Sequence, residues 1–259
     1  MSLRTVIVGG GLSGLTAAHT LALGGDEVIL IEESDRPGGA VRTERRDGFL
    51  LEVGPNTVRP TAELWQLIDD LGLSGEVLLT DARAPRWVDW AGQLHEVPMS
   101  PAALLQTRLL SVAGKARLLT EPLRSRGTDP EESIAAFVAR RLGPQVAERL
   151  VEPFVGGIFG GTAAGLCASA AFPTLTRWER ERGSLLAGAL ADRRRLPKGE
   201  PRPKGLLSFR EGLETLPRAL ARSLGPGLHA GEAVRAVAPR DGRWSVTTAG
   251  QEFTAEHVI

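Results

Sequence analysis

The stretch TVIVGGGLSG, Thr5 to Gly14, decides how the rest of the chain is read. A β-branched run ending in glycines reads as a parallel strand buried on both faces. The following LSGLTAAHTLALGG puts Leu15, Ala18, Leu21 and Ala22 on one helical stripe and closes it with Gly24-Gly25. EVILIE, ending at Glu32, is then a second strand, so residues 4–32 form one βαβ unit. Gly9-x-Gly11-x-x-Gly14 falls between its first strand and its helix. Gly9 permits the tight turn, Gly11 lets backbone approach a diphosphate, and Gly14 lets the helix sit close to the strand. The helix N-terminus offers free N–H groups to the anion. Glu32 stands where a carboxylate accepts hydrogen bonds from ribose hydroxyls and disfavours a 2′-phosphate. The alternative is a βαβ unit with a tight turn and nothing bound.

That motif does not separate one dinucleotide from another. DRPGGAVRT, Asp35 to Thr43, does. Gly38-Gly39 offers amides with no side chain in the way, and Arg36 and Arg42 can reach phosphate oxygens. A second contact region just past the ribose acid suits an extended cofactor such as FAD. The alternative for this stretch is a surface turn with two solvated arginines.

Beyond these glycines the chain alternates in texture. TAELWQLIDDLGL reads as a short amphipathic helix and RWVDWAGQLHEVP as a hairpin turning near Gly92. From Pro101 to about Leu196 the pattern is helical, with Asp129 expected as N-cap and Pro130 as first residue of a helix that Gly143-Pro144 ends. Residues 193–205 read as a proline-rich basic linker. Sheet-like patterning is expected to return in 206–225, followed by three short strands with a hairpin at RDGRW. The expected organisation is α/β: a Rossmann-like dinucleotide domain in two segments, 1–57 and 206–259, interrupted by a mostly helical insertion, 58–205. AEHVI, an apolar strand without cap or polar tail, suggests truncation.

Composition excludes several function classes. The 259 residues carry no formal net charge, which argues against nucleic acid as main partner. One cysteine, Cys167, and four scattered histidines form no metal-ligand spacing, and the lone thiol fits a reducing compartment. His19, His95, His229 and His257 read as structural or solvated. The chain opens straight into a strand, leaving no room for a signal peptide, so a cytoplasmic protein is expected. Residues 153–176 carry no charge, but their glycines and prolines suit a membrane span poorly. Leu104, Leu105, Leu109 and Leu110 near Lys115 and Arg117 allow peripheral contact with anionic lipid; a core-facing leucine stripe is the alternative.

Taken together, the glycine motif, Glu32, SDRPGGAVRT and DGFLLEVGP resemble the opening of the flavin-containing amine oxidase superfamily. LVEPFVGGIFGG, AAFPTLTRWERERGSLLAGAL and LLSFREGLETLPRALARSLG are similar to its porphyrinogen oxidase branch, whose members act on protoporphyrinogen or coproporphyrinogen in haem biosynthesis. The resemblance is collinear over essentially the whole chain. It implies a glutathione-reductase type FAD-binding domain, with Gly9, Gly11, Gly14 and Glu32 holding the ADP part and Arg36, Gly39 and Arg42 beside the diphosphate. It further implies Gly54 and Pro55 along the flavin, and Val234 meeting the adenine through its backbone. Arg59 would face a substrate propionate, and Gly157 would line the porphyrinogen cavity at the catalytic centre. Family members run to roughly twice this length, and many have Tyr-Ala where this chain has Phe159-Gly160. The implied activity is oxygen-using, six-electron dehydrogenation of a porphyrinogen by repeated hydride transfer to FAD. The competing expectations are another oxidase or desaturase of the superfamily, acting on amines or polyenes, and a non-catalytic FAD-binding piece.

Overall fold

In the computed structural model, which describes residues 3–81, 84–195 and 205–259, the opening βαβ unit forms as expected. Strands β1 (Arg4–Val8) and β2 (Glu27–Glu32) pair in parallel from Arg4↔Glu27 to Val8↔Ile31, with helix α1 (Leu12–Leu23) crossing between them. The buried stripe of α1 differs from expectation: Leu15, Ala18 and His19 are inside, while Ala22 is exposed. A polar residue takes the inner position because His19 Nδ1 meets Ser223 Oγ at 2.9 Å. Strands β3 (Thr43–Arg46) and β4 (Phe49–Glu52) form a hairpin. Helix α2 (Ala62–Asp70) starts at Thr61, whose hydroxyl accepts from the Leu64 amide at 3.2 Å, and leads to β5 (Val77–Leu79).

Residues Arg83–Pro201 form a unit of their own. It opens with the hairpin of β6 (Trp87–Trp90) and β7 (Gln93–Glu96) and continues through α3 (Pro101–Gln106) and α4 (Val112–Leu119). Helix α5 (Ile134–Leu142) is capped by Ser133, whose hydroxyl accepts from Ala136 N–H, and not by Asp129. The amides of Ile134 and Ala135 donate to Leu166 and Ala163 carbonyls, and Ser133 bridges to Cys167, so a tertiary contact holds 130–133 out of the helix. Asp129 instead closes a turn onto the Glu131 amide. Past Gly143, α6 (Pro144–Val146) runs through a π-helical turn, Ala147–Val151, into α7 (Glu152–Phe159). Pro153 has no N–H for an i−4 bond, which accounts for the widened turn before it. Helices α8 (Ala168–Ala171), α9 (Pro173–Arg182) and α10 (Leu185–Arg195) complete a core built on Ile134, Phe137, Val138, Val155 and Ala168. Leu109 and Leu110 are buried and Leu105 is exposed, so the leucine stripe is mostly core. Among the described residues no helix is long and apolar enough to cross a membrane. The middle of the expected basic linker, 196–204, lies outside the described residues.

The chain then returns to the first unit. Strand β8 (Leu207–Phe209) pairs antiparallel with β5, but the sheet-like expectation for 206–225 fails beyond it. Thr215–Leu224 is a helix, α11, because Leu216, Ala219 and Leu220 recur at helical spacing and enter the core. Strands β9 (Leu228–Ala230), β10 (Ala236–Arg240), β11 (Arg243–Thr247), β12 (Glu252–Ala255) and β13 (His257–Val258) follow. The main sheet has the order β13-β1-β2-β9, all parallel, and β10-β11-β12 form an antiparallel sheet whose hairpin turns at Asp241-Gly242. The division between units falls at Ala82 and Arg202, not at 57 and 205. Ile68 and Leu73 share a core with Ile7, Leu15, Leu207 and Leu220, which binds α2 to the first unit.

Candidate dinucleotide-binding site

No side chain caps α1 and no acid lies in its first turn. Among the described residues, the amides of Ser13 and Gly14 find no partner within the protein. Such amides, with the helix dipole behind them, stabilise an anion by about 0.3–1 kcal/mol per charge at an exposed site. A Cβ on Gly14 would lie 2.0 Å from the Gly9 carbonyl oxygen, so only glycine lets the helix start this close to the turn. Nothing lies within 4 Å of a Cβ built on Gly9 or Gly11, which leaves room above the turn for a ligand.

The second glycine pair packs directly against the first. Gly38 N–H donates to Gly10 carbonyl at 2.7 Å, Gly11 and Gly38 form a parallel bridge, and a Cβ on Gly39 would sit 3.2 Å from Gly11 Cα. Gly38 is buried, while Gly39 and Ala40 are exposed and their amides have no partner among the described residues. Two sets of free amides therefore adjoin. Gly54 makes this possible from below, since its Cβ would collide with the Ala40 carbonyl at 1.8 Å; Pro55 follows it on the surface.

The expected arginines behave differently from one another. Arg36 spends Nη2 on the Gly39 carbonyl (2.8 Å) and Nη1 on the Val41 carbonyl (3.1 Å) and Glu214 (3.4 Å), so its donors fold the loop instead of pointing out of it. Arg42 pairs with Glu44 at 2.6 Å on the surface. Glu32 Oε2 accepts from the Gly10 amide at 2.6 Å and Oε1 from the Ser34 amide at 2.9 Å. Partial burial opposes its ionisation, but the Ser34 hydroxyl and amide, the Gly10 amide and Arg36 outweigh it and hold the carboxyl below its ordinary value. Gly231 and Glu232 amides donate to Ser34 and Glu32 carbonyls, which carries Val234 past the end of β2. The Val234 amide makes no hydrogen bond among the described residues.

Arg59 and Gly157 lie in different units. Arg59 is exposed and forms no ion pair or hydrogen bond among the described residues. Gly157 sits on α7, whose exposed face carries Phe154, Ile158 and Phe159; both phenylalanine rings lie 6.1 Å from Phe172.

A sequence model of flavin containing amine oxidoreductases matches residues 12–259. The chain belongs to that family. Its relatives include protoporphyrinogen oxidase 1, chloroplastic, of Arabidopsis thaliana, 39% identical over 85% of this chain and 44% of that protein. Protoporphyrinogen oxidase of Homo sapiens is 34% identical over 99% of this chain and 59% of that protein. A solved structure from Exiguobacterium sp. 255-15, assigned as a protoporphyrinogen oxidase, superposes with a TM-score of 0.75 at 28% identity, covering all of this chain and 59% of that one. Putrescine oxidase shares the fold, with a TM-score of 0.69 at 20% identity. This member of the amine oxidoreductase family thus spans about half the length of the curated relatives it matches.

Several residues of the site escape a reading of motifs: Gly10, Ser34, Ala40, Thr43 and Glu214. An amide donor leaves no mark on residue type, so Gly10 and Ala40 are visible only through the fold. Ser34 was detectable, because a serine two residues after a strand-end acid can donate both its amide and its hydroxyl back to that acid.

Proposed function

We propose that this chain is the FAD-holding portion of a porphyrinogen oxidase, acting on protoporphyrinogen IX or coproporphyrinogen III with oxygen as electron acceptor. The observation that carries the cofactor half is the adjoining pair of free-amide sets, Ser13–Gly14 and Gly39–Ala40. One set suffices for a single phosphate group; two in contact suit the diphosphate of an extended dinucleotide. The names of the relatives supply the substrate half.

FAD, when bound, supplies two-electron oxidation by accepting a hydride from the substrate, and six-electron dehydrogenation takes three such turnovers. The protein's part is placement. Gly9, Gly11, Gly14 and Gly39 open the backbone to the diphosphate, and Arg36 and Arg42 lend charge beside it. Glu32, ionised and pre-oriented by Gly10 and Ser34, accepts from ribose hydroxyls, and the Val234 amide serves the adenine edge. Gly54 and Pro55 run along the flavin. Arg59, as an unpaired cation, anchors a substrate carboxylate, and Gly157 on the apolar face of α7 leaves space for the macrocycle and contributes no acid or base. The test is reconstitution with FAD followed by porphyrin fluorescence under air, with amines and polyenes as competing substrates; turnover of an amine alone would overturn the substrate. Arg59→Ala should raise KM and leave kcat nearly unchanged, and an unchanged KM rules out carboxylate anchoring.

Peripheral contact with anionic lipid belongs to the same proposal. The exposed face of α4 is apolar: Val112 and Leu119 are 84% and 76% exposed, with Ala116 between them and Leu123, 84% exposed, beyond. Arg108, Lys115, Arg124 and Arg126 lie along the same segment, whose one acid, Glu121, is buried. Apolar exposure with basic neighbours suits a lipid interface. Salt-insensitive absence from liposome pellets argues against it.

A further inference from the structure

Glu214 is a carboxylate only 3% exposed, at the N-terminus of α11, and the sequence motifs give it no role. Its Oε2 accepts from the Thr43 amide at 3.1 Å and from Arg218 at 3.1 Å, and its Oε1 faces Arg36 at 3.4 Å. Thr43 answers: its hydroxyl accepts from the Glu214 amide at 3.1 Å and donates to Glu52 at 2.7 Å. The other Glu52 oxygen accepts from Leu213 N–H at 2.7 Å, which closes the ring of bonds. Gly212 packs so tightly that a Cβ there would lie 2.3 Å from Thr43 Cγ2.

These bonds fasten the far end of the second amide set. Arg36, held by Glu214, grips the Gly39 and Val41 carbonyls, and Thr43 begins β3 directly after Arg42. Meanwhile α11 lies on α1, through Leu216 and Leu220 in the core that holds Leu15 and Ala18, and through Ser223 on His19. One helix therefore touches both partners of the cradle. We propose that Glu214 is a positioning residue: through Arg36 and Thr43 it ties the Gly38–Arg42 loop to α11, and so sets the spacing between the two amide sets that receive the diphosphate.

This role rests on the FAD reading above. The experiment compares FAD affinity and amide hydrogen exchange in the full chain and its Glu214→Gln and Glu214→Ala variants, each shown folded by circular dichroism. Gln keeps an acceptor for the Thr43 amide and loses the charge facing Arg36; Ala loses both. FAD affinity should fall about threefold for Gln and about tenfold for Ala, the scale of one and two weakened hydrogen bonds. Exchange at residues 38–43 should quicken in the same order without FAD present. A purely structural residue would lower the melting temperature and leave the affinity of the folded protein as it was. Wild-type FAD affinity in Glu214→Ala overturns the proposal, as does wild-type exchange at 38–43. If Ala does not fold, wild-type affinity in Gln overturns it. Failure of the unmutated chain to bind FAD is a different result and sinks the cofactor reading itself.

Discussion

Gly14 shows how far one position carries the site. Alanine is favoured over glycine inside a helix by about 1 kcal/mol. Here its Cβ would lie 2.0 Å from the Gly9 carbonyl, and relieving an overlap of that kind costs about 1–3 kcal/mol. Gly14→Ala should therefore destabilise the fold in urea and loosen FAD, despite its better helix propensity. Glu32 carries a pH prediction. Its carboxyl is depressed in the folded chain, so its contribution is full above the ordinary value of 4.5 and is lost as pH falls through the depressed one. FAD affinity should hold from neutral pH down to about pH 5 and drop only below it, and Glu32→Gln should weaken binding at neutral pH and flatten that acid drop. The glycines and Glu32 were legible because each answers a local backbone demand or ends a strand. Arg36 was legible as a loop residue but not in its orientation, which Glu214 decides from a distant part of the chain.

Among the elements, α5 separates what a sequence signal allows from what packing selects. DPEES reads as a helix start at Asp129-Pro130. The bonds from Ile134 and Ala135 to Leu166 and Ala163 choose Ser133. Ser133→Ala should then cost about 1 kcal/mol in urea unfolding, the usual worth of an N-cap, and Asp129→Ala distinctly less. The segment 206–225 failed for a different reason. Only Leu207–Phe209 pairs as a strand, whereas Leu216, Ala219 and Leu220 already recur at helical spacing, a signal that a sheet-like reading of the whole stretch passes over.

At the scale of the whole molecule, the helical unit is built around buried charge. Arg141 is fully buried and bonds Glu121, which also accepts from Ser184 Oγ at 2.7 Å and Leu185 N–H at 2.9 Å; Arg140 reaches Glu132 and Glu179 at 2.6 Å each. Removing one partner of such a pair strands the other in a poor solvent, so Arg141→Ala should destabilise by about 3–5 kcal/mol. For Glu121, burial opposes ionisation, and Ser184, the Leu185 amide and Arg141 overcome it; Glu179 is likewise held below its ordinary value against burial, first by Arg140. Both depressed carboxyls stabilise above the ordinary value of 4.5 and cease to as pH falls through their own, so acid unfolding monitored by circular dichroism should begin below about pH 4.

The sequence by itself determined the βαβ unit, the two glycine clusters and the acid that ends β2, because turns, strand ends and close backbone approaches restrict residue type at single positions. It also determined that the middle of the chain is helical, through periodicity and punctuation. Tertiary structure alone decided that the two amide sets touch, that Arg36 turns inward, that α2 belongs to the first unit, and that Ser133 caps α5. Each of these depends on groups far apart in the chain meeting at hydrogen-bond distance, and main-chain donors carry no signature in the letters between them.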